Sequence, residues 1–178
     1  MPRRRKSALR NMDAHHTRVA RVGRRVIRRF SCYTWIIILF LVSLSAAALS
    51  LLVTWAASGI IKPIIVIPGF LILRLSQNPG IAFSISIPSP WEEILIISAL
   101  TTVCVFAVKS KPDRFVSTAF GLIIGGAIAN IIDRLPDGFV TDYVAVGTFP
   151  VFNAADSCIT IGAVLLLVEV WLKRPQKA

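Results

Sequence analysis

The sequence predicts a membrane all-α protein: four transmembrane helices carrying a small β-sheet on the outer face. Three observations lead there. Of the 178 residues, 55% are hydrophobic and only 16% charged, with a mean hydropathy of +0.72, whereas a soluble domain carries roughly 25% charged residues. Four segments are apolar enough to cross or nearly cross a bilayer. The basic residues are distributed unevenly between the loops, as expected of a polytopic chain with a fixed orientation.

Residues 1–30 form a basic tail holding eleven of the twenty Lys and Arg. A net charge of +11 raises the question of a nucleic-acid partner. A basic block directly before an apolar span instead indicates the cytoplasmic side and anionic lipid heads, so no nucleic acid is expected. The only histidines, His15 and His16, lie in this tail, which excludes a histidine-based site in the membrane. The apolar run that follows is too long for the h-region of a signal peptide.

Cys32 to Trp55 gives 24 residues without a charge, the first span. Trp35 and Trp55 stand near its ends, where aromatic belts form. Residues 56–90 differ. Pro63, Pro68 and Gly69 interrupt the apolar run from Ile64 to Leu75, which argues against a helix. Phe70–Ser76 partly alternates, with Leu71, Leu73 and Leu75 on one face, and Ser84–Ile87 alternates again beyond the turn Asn78-Pro79-Gly80. These read as strands of a small sheet on the membrane surface.

The second helix is expected from about Trp91 to Val108, with Glu92 and Glu93 reaching outward to the interface. A tight basic turn follows, with Lys109, Lys111, Pro112 and Arg114. The third helix takes Phe115 to about Ile132, where Gly121, Gly125, Gly126, Ala127 and Ala129 permit close helix contact. The fourth runs from about Phe152 to Leu172, and Glu169 is placed to pair with Lys173. The tail, the 109–114 turn and the C-terminus hold eleven, three and three basic residues, against three in the two other loops. Both termini are therefore expected in the cytoplasm, with 175–178 as the C-terminal end of the 31–174 membrane domain. Loops 56–90 and 133–151 then share the outer face. Cys32, Cys104 and Cys158 are odd in number and contain no CxxC pair, so they read as packing residues.

Four of the nine acids, Asp133, Asp137, Asp142 and Asp156, fall within residues 130–156. Carboxylates at a membrane boundary are costly to hold and mark a candidate site. At about 1.5 Å rise per residue, Asp156 lies roughly 6 Å below the outer end of the fourth helix, and Asp142 lies in the bridging loop. If that loop folds back the two meet, and two carboxylates sharing a site do not both ionise cheaply. One then takes a proton from water while the other donates to a carbonyl oxygen, as in an aspartic protease. The same two acids also read as structural polar groups or as an ion or proton relay in a non-enzymatic membrane protein. Asp133 and Arg134 read as a helix-end acid and its counter-charge, and Asp137-Gly138 as a turn. Asn130 and Asn153 suit partners that fix helix ends or carboxylates. No HExxH motif and no P-loop is present, and no metal site is expected.

Four blocks resemble the signal peptidase II family. They are Gly125-Gly126-Ala127-Ile128-Ala129-Asn130-Ile131-Ile132-Asp133-Arg134, Val140-Thr141-Asp142-Tyr143, Phe152-Asn153-Ala154-Ala155-Asp156-Ser157 and Asn78-Pro79-Gly80-Ile81-Ala82-Phe83-Ser84. The resemblance covers roughly residues 45–172. It implies an aspartyl endopeptidase of the bacterial inner membrane, without a cofactor, whose periplasmic β-cradle matches the strands expected above. Its implied substrate is a diacylglyceryl-modified prolipoprotein, cut on the N-terminal side of the lipidated cysteine. Membrane lipids surround it, and cyclic peptide inhibitors of the family are implied ligands. By similarity Asp142 and Asp156 are the catalytic pair. Asn78, Asn130, Asp133, Arg134, Asn153 and Ala155 match positions that shape the site or bind substrate. One departure is visible: the family's Asp-Gln-x-x-Lys segment finds its counterpart ending at Lys62, with Ser58 in place of the acid.

Overall fold

Residues 33–57 contain neither a charge nor a proline, and in the computed structural model they form one unbroken helix, α1 (Tyr33–Ala57). The structure describes residues 33–80, 91–110 and 113–173. The basic tail, the expected strand at 84–87, residues 111–112 of the basic turn and the C-terminal end lie outside the described residues, as do the side chains of Glu92 and Glu93. After α1 come β1 (Ile64–Ile67), β2 (Leu71–Asn78), α2 (Trp91–Lys109), α3 (Arg114–Arg134), β3 (Val140–Val146) and α4 (Ala154–Leu172).

Three of the helices, α1, α3 and α4, are long and apolar enough to cross a bilayer. The apolar part of α2, Ile94–Lys109, is shorter. All four nevertheless share one core: Ala107 of α2 and Phe120 and Ile124 of α3 pack with Leu39 of α1, Leu100 and Val103 of α2 and Leu166 of α4. The opposite faces carry exposed Phe40, Leu44, Leu52, Leu167 and Val170. An apolar exterior around a small-residue interior is what a lipid solvent permits, because the large side chains have no need to leave it.

Close approach between helices is set by glycine. A Cβ on Gly125 would run into the Ser43 carbonyl of α1, and one on Gly126 would lie 2.5 Å from the Ala155 carbonyl oxygen of α4. Ala129 is buried as expected. Ala127 instead faces a groove.

The sheet is antiparallel in the order β1-β2-β3. Pro68-Gly69 makes the β1–β2 turn, and Gly69 takes the left-handed φ of 72° that favours glycine. The third strand is a correction. Residues 133–151 read as a loop in the sequence, yet Val140–Val146 pairs with β2, with Ser76 opposite Asp142 and Asn78 opposite Val140. Asp142 therefore stands on a strand. Its carboxyl concealed the alternation of Val140, Val144 and Val146 on either side of it. Beyond β3 the chain turns back at Gly147, Phe152 bridges to Val144, and α4 begins at Ala154 rather than Phe152. Asp156 is therefore the third residue of its helix, nearer the end than expected.

Candidate active site

The strand pairing carries Asp142 to the first turn of α4, and five of the eight candidate residues join one hydrogen-bonded network there. Asn153 is the N-cap of α4: its Oδ1 accepts from the Asp156 N–H at 2.9 Å, and its own N–H donates to Asp156 Oδ2 at 3.2 Å. This reciprocal capping box occupies amides that would otherwise be unpaired at the helix start. The Asn153 Nδ2 donates to Asp142 Oδ1 at 2.9 Å and to Asn130 Oδ1 at 3.1 Å. From α3, Asn130 Nδ2 donates to Asp156 Oδ1 at 2.8 Å. From the end of β2, Asn78 Nδ2 donates to Asp142 Oδ2 at 3.0 Å, while the Gly80 N–H holds its Oδ1 at 2.9 Å. Three asparagines thus tie two carboxyl groups from different elements into one unit.

Asp142 and Asn153 are almost wholly enclosed, at 2% and 1% exposure. Asp156 is half-buried. Burial raises the Asp142 carboxyl to about 6, because the charged form loses water. The hydrogen bond from Asn78 opposes that rise, the Asp156 charge adds to it, the Asn153 amide opposes it, and Asp133 adds a smaller repulsion. Asp156 faces an N–H donor from Asn130, another from Asn153 and the N-terminus of α4, surroundings suited to a carboxylate.

The remaining candidates support this centre. Asp133 accepts from the Thr141 N–H at 2.6 Å, which pins β3 one residue before Asp142. Arg134 donates to the Gly80 carbonyl at 2.8 Å and so ties the end of α3 to the chain leaving β2. Ala155 is buried against Gly126. Asp137 accepts from the Phe139 N–H at 3.0 Å beside Gly138, whose φ is 83°. It is a turn residue, as the sequence indicated. Ser58 is exposed and donates to the Trp55 carbonyl at 2.6 Å.

Tyr143 was missed as a site residue. Its hydroxyl accepts from the Ala154 N–H at 3.0 Å, and the side chain is 5% exposed. Burial pushes the phenol up, so it remains neutral. Its neighbour Asp142 drew attention, whereas the signal was the alternation itself: adjacent strand residues point to opposite faces, and both faces here are enclosed.

At the other end of the bundle, Asp113 caps α3 through the Val116 N–H at 3.0 Å and lies 3.2 Å from Lys173 Nζ. Lys173 also pairs with Glu169, as expected from their spacing. The network acids therefore gather at one end only. A relay across a membrane calls for acids at several depths, so the relay reading is not favoured. Among the described residues no group of three or more His, Cys, Asp or Glu side chains is arranged to hold a metal ion.

Comparison with known proteins agrees with this geometry. Residues 37–172 match the family described as signal peptidase (SPase) II. A lipoprotein signal peptidase of Chlorobaculum tepidum is 36% identical over 121 residues, covering 60% of this chain and 75% of that protein. One from Shouchella clausii is 33% identical over 142 residues, covering 78% and 93%. A bacterial membrane enzyme solved by the in meso method superposes with a TM-score of 0.66 at 28% identity, covering 82% of this chain and 94% of its own.

Proposed function

The chain belongs to the signal peptidase II family and removes the signal peptides of prolipoproteins; from that premise we propose that it does so as an aspartic-type endopeptidase, with Asp142 and Asp156 as its catalytic pair. The observation that carries this reading is the shared network: two carboxyls held by three asparagines, one pushed up to about 6 and enclosed, the other more open. Asp142 is the protonated partner and Asp156 the ionised one.

In the proposed reaction Asp156 takes a proton from water, and the water oxygen attacks the scissile carbonyl carbon. Asp142 passes its proton to the carbonyl oxygen, giving a neutral gem-diol. As the C–N bond breaks, Asp156 returns its proton to the departing nitrogen, and Asp142 recovers one from the collapsing diol. The products are a signal peptide ending in a carboxylate and a cysteine with a free amino group. Asn130 and Asn153 orient the pair, and Asp133, Arg134 and Ala155 hold the elements that carry it. Asn78 both braces Asp142 and lies on the outer-face element that meets the substrate. Proton transfer of this kind contributes roughly 10²–10⁴-fold each way.

The substrate in this reading is a diacylglyceryl-modified prolipoprotein, cut before its lipidated cysteine. The enzyme lies in the bacterial inner membrane with α2 as the fourth span, both termini in the cytoplasm and the pair at the periplasmic face. The charge asymmetry of the loops supports that orientation. A gel-shift assay in detergent with a diacylglyceryl prolipoprotein, with and without a cyclic peptide inhibitor of the family, tests the proposal. Cleavage that the inhibitor blocks and that is lost in both Asp142→Asn and Asp156→Asn is the expected result. Normal processing by either variant would remove that residue from the pair.

A further inference from the structure

Beside the network, α2, α3 and α4 leave an apolar groove of about 360 Å³. Leu100 and Val103 of α2, Ile123 and Ala127 of α3 and Ile159 of α4 line its length, while Asn130 and Arg134 stand at its outer end. Ile123 to Arg134 spans eleven helical steps, about 16 Å. That is roughly half of a ~30 Å hydrocarbon core, one leaflet deep. Dividing volume by depth gives a mean cross-section on the order of 20 Å², too narrow for a helix of about 10–12 Å diameter and adequate for one extended alkyl chain.

The outer end opens at the catalytic network. Asn130 both lines the groove and donates to Asp156. Val140, also in the lining, precedes Asp142 by two residues, and Ile159 follows Asp156 by one turn. A chain seated here begins beside the reacting carboxyls, and the polar end bears donor groups and no acid, as glyceryl ester carbonyls require. Resting on the function proposed above, we infer that this groove seats one acyl chain of the diacylglyceryl group on the substrate cysteine. That chain is tied to the residue next to the scissile bond, so seating it fixes the bond over the pair. The chain leaves one apolar surrounding for another, so transfer contributes little. The groove acts by positioning.

The full chain, purified in detergent, is given prolipoproteins whose cysteine bears either octanoyl or palmitoyl chains. Ala99→Phe and Ala127→Phe each fill the groove below its polar end. Expected is a loss of about tenfold or more in kcat/KM for the palmitoyl substrate, with the octanoyl substrate changed by no more than about twofold. Equal losses on both substrates overturn the assignment. A second measurement needs no groove variant: a palmitoyl chain with a photoreactive tip is added to Asp156→Asn, which holds the substrate uncut. Labelling at Val103, Ile123 or Ala127 supports the assignment, and labelling confined to Leu44 and Leu52 on α1 overturns it. So does labelling of the groove by a photoreactive phospholipid that excess substrate fails to displace. If the unaltered enzyme cuts neither substrate, the proteolytic reading itself fails and the groove assignment with it. Failure of the groove alone leaves cleavage intact and blind to chain length.

Discussion

The Nδ2 of Asn153 lies 2.9 Å from Oδ1 of Asp142, and the other side-chain atom of the same asparagine caps the helix that carries Asp156. One amide therefore sets the position of one acid and the helix start of the other. Asn153→Ser keeps an N-cap acceptor but loses the donor; Asn153→Ala loses both. The cap is worth about 0.5–2 kcal/mol. Thermal unfolding in detergent should show Asn153→Ser more stable than Asn153→Ala, while both process prolipoprotein poorly. Equal stability of the two would mean that the cap contributes nothing here.

Asp142 and Asp156 should differ from Asp133 in kind. Replacing either of the pair with Asn removes a proton-transfer group, with an expected loss of at least about 10²-fold in turnover. Asp133→Asn retains one acceptor for the Thr141 N–H and should leave measurable cleavage. Single-turnover rates with a gel-shift substrate separate the two classes.

The pH profile follows from the enclosed carboxyl. Its folded value, about 6, lies above the ordinary 3.8, so the proton is held below about 6 and lost above it. With Asp142 as the acid, kcat/KM should fall as pH rises through that region, as an apparent value of the pair. Stability follows the same sign: ionising Asp142 costs the folded state nothing below 3.8, and the penalty develops between 3.8 and about 6. A kcat/KM that climbs steadily through this window would reverse the assignment of acid and base.

Gly126→Ala tests the seat of α4. The added methyl would lie 2.5 Å from the Ala155 carbonyl oxygen and 2.8 Å from Ile159 Cγ1, so α3 and α4 must separate. Overpacking of this kind costs about 1–3 kcal/mol. Displacing the first turn of α4 also moves Asp156 against Asn130. Reduced melting temperature together with reduced turnover is the expected outcome; an unchanged rate would show that the pair tolerates the shift.

Tyr143→Phe removes the acceptor of the Ala154 N–H and leaves the ring in place. A buried donor without its partner costs about 1–3 kcal/mol. The variant should unfold at lower temperature and retain part of its activity, because Tyr143 positions α4 and takes no part in proton transfer.

Much of this protein is legible along the chain. Uncharged stretches of bilayer length give α1, α3 and α4, because backbone groups in lipid must be satisfied within the segment itself. Pro63, Pro68 and Gly69 exclude a helix between them, and the alternation from Leu71 marks β2. The four motif blocks name the acids and the family. Local spacing also suffices for the Asp137-Gly138 turn and the Glu169–Lys173 pair. What the chain order conceals is pairing at a distance. Nothing local in Val140–Val146 says that β2, more than sixty residues earlier, lies beside it, and that ladder makes Asp142 a strand residue rather than a loop residue. The same pairing brings Asn78 to Asp142, and the Gly126 contact brings Asn130 to Asp156. Four acids at a membrane boundary are a property of the sequence. Which two are coupled, which one is enclosed and which amides bind them follow from the tertiary structure, because burial and hydrogen-bond geometry exist only once separate elements have met.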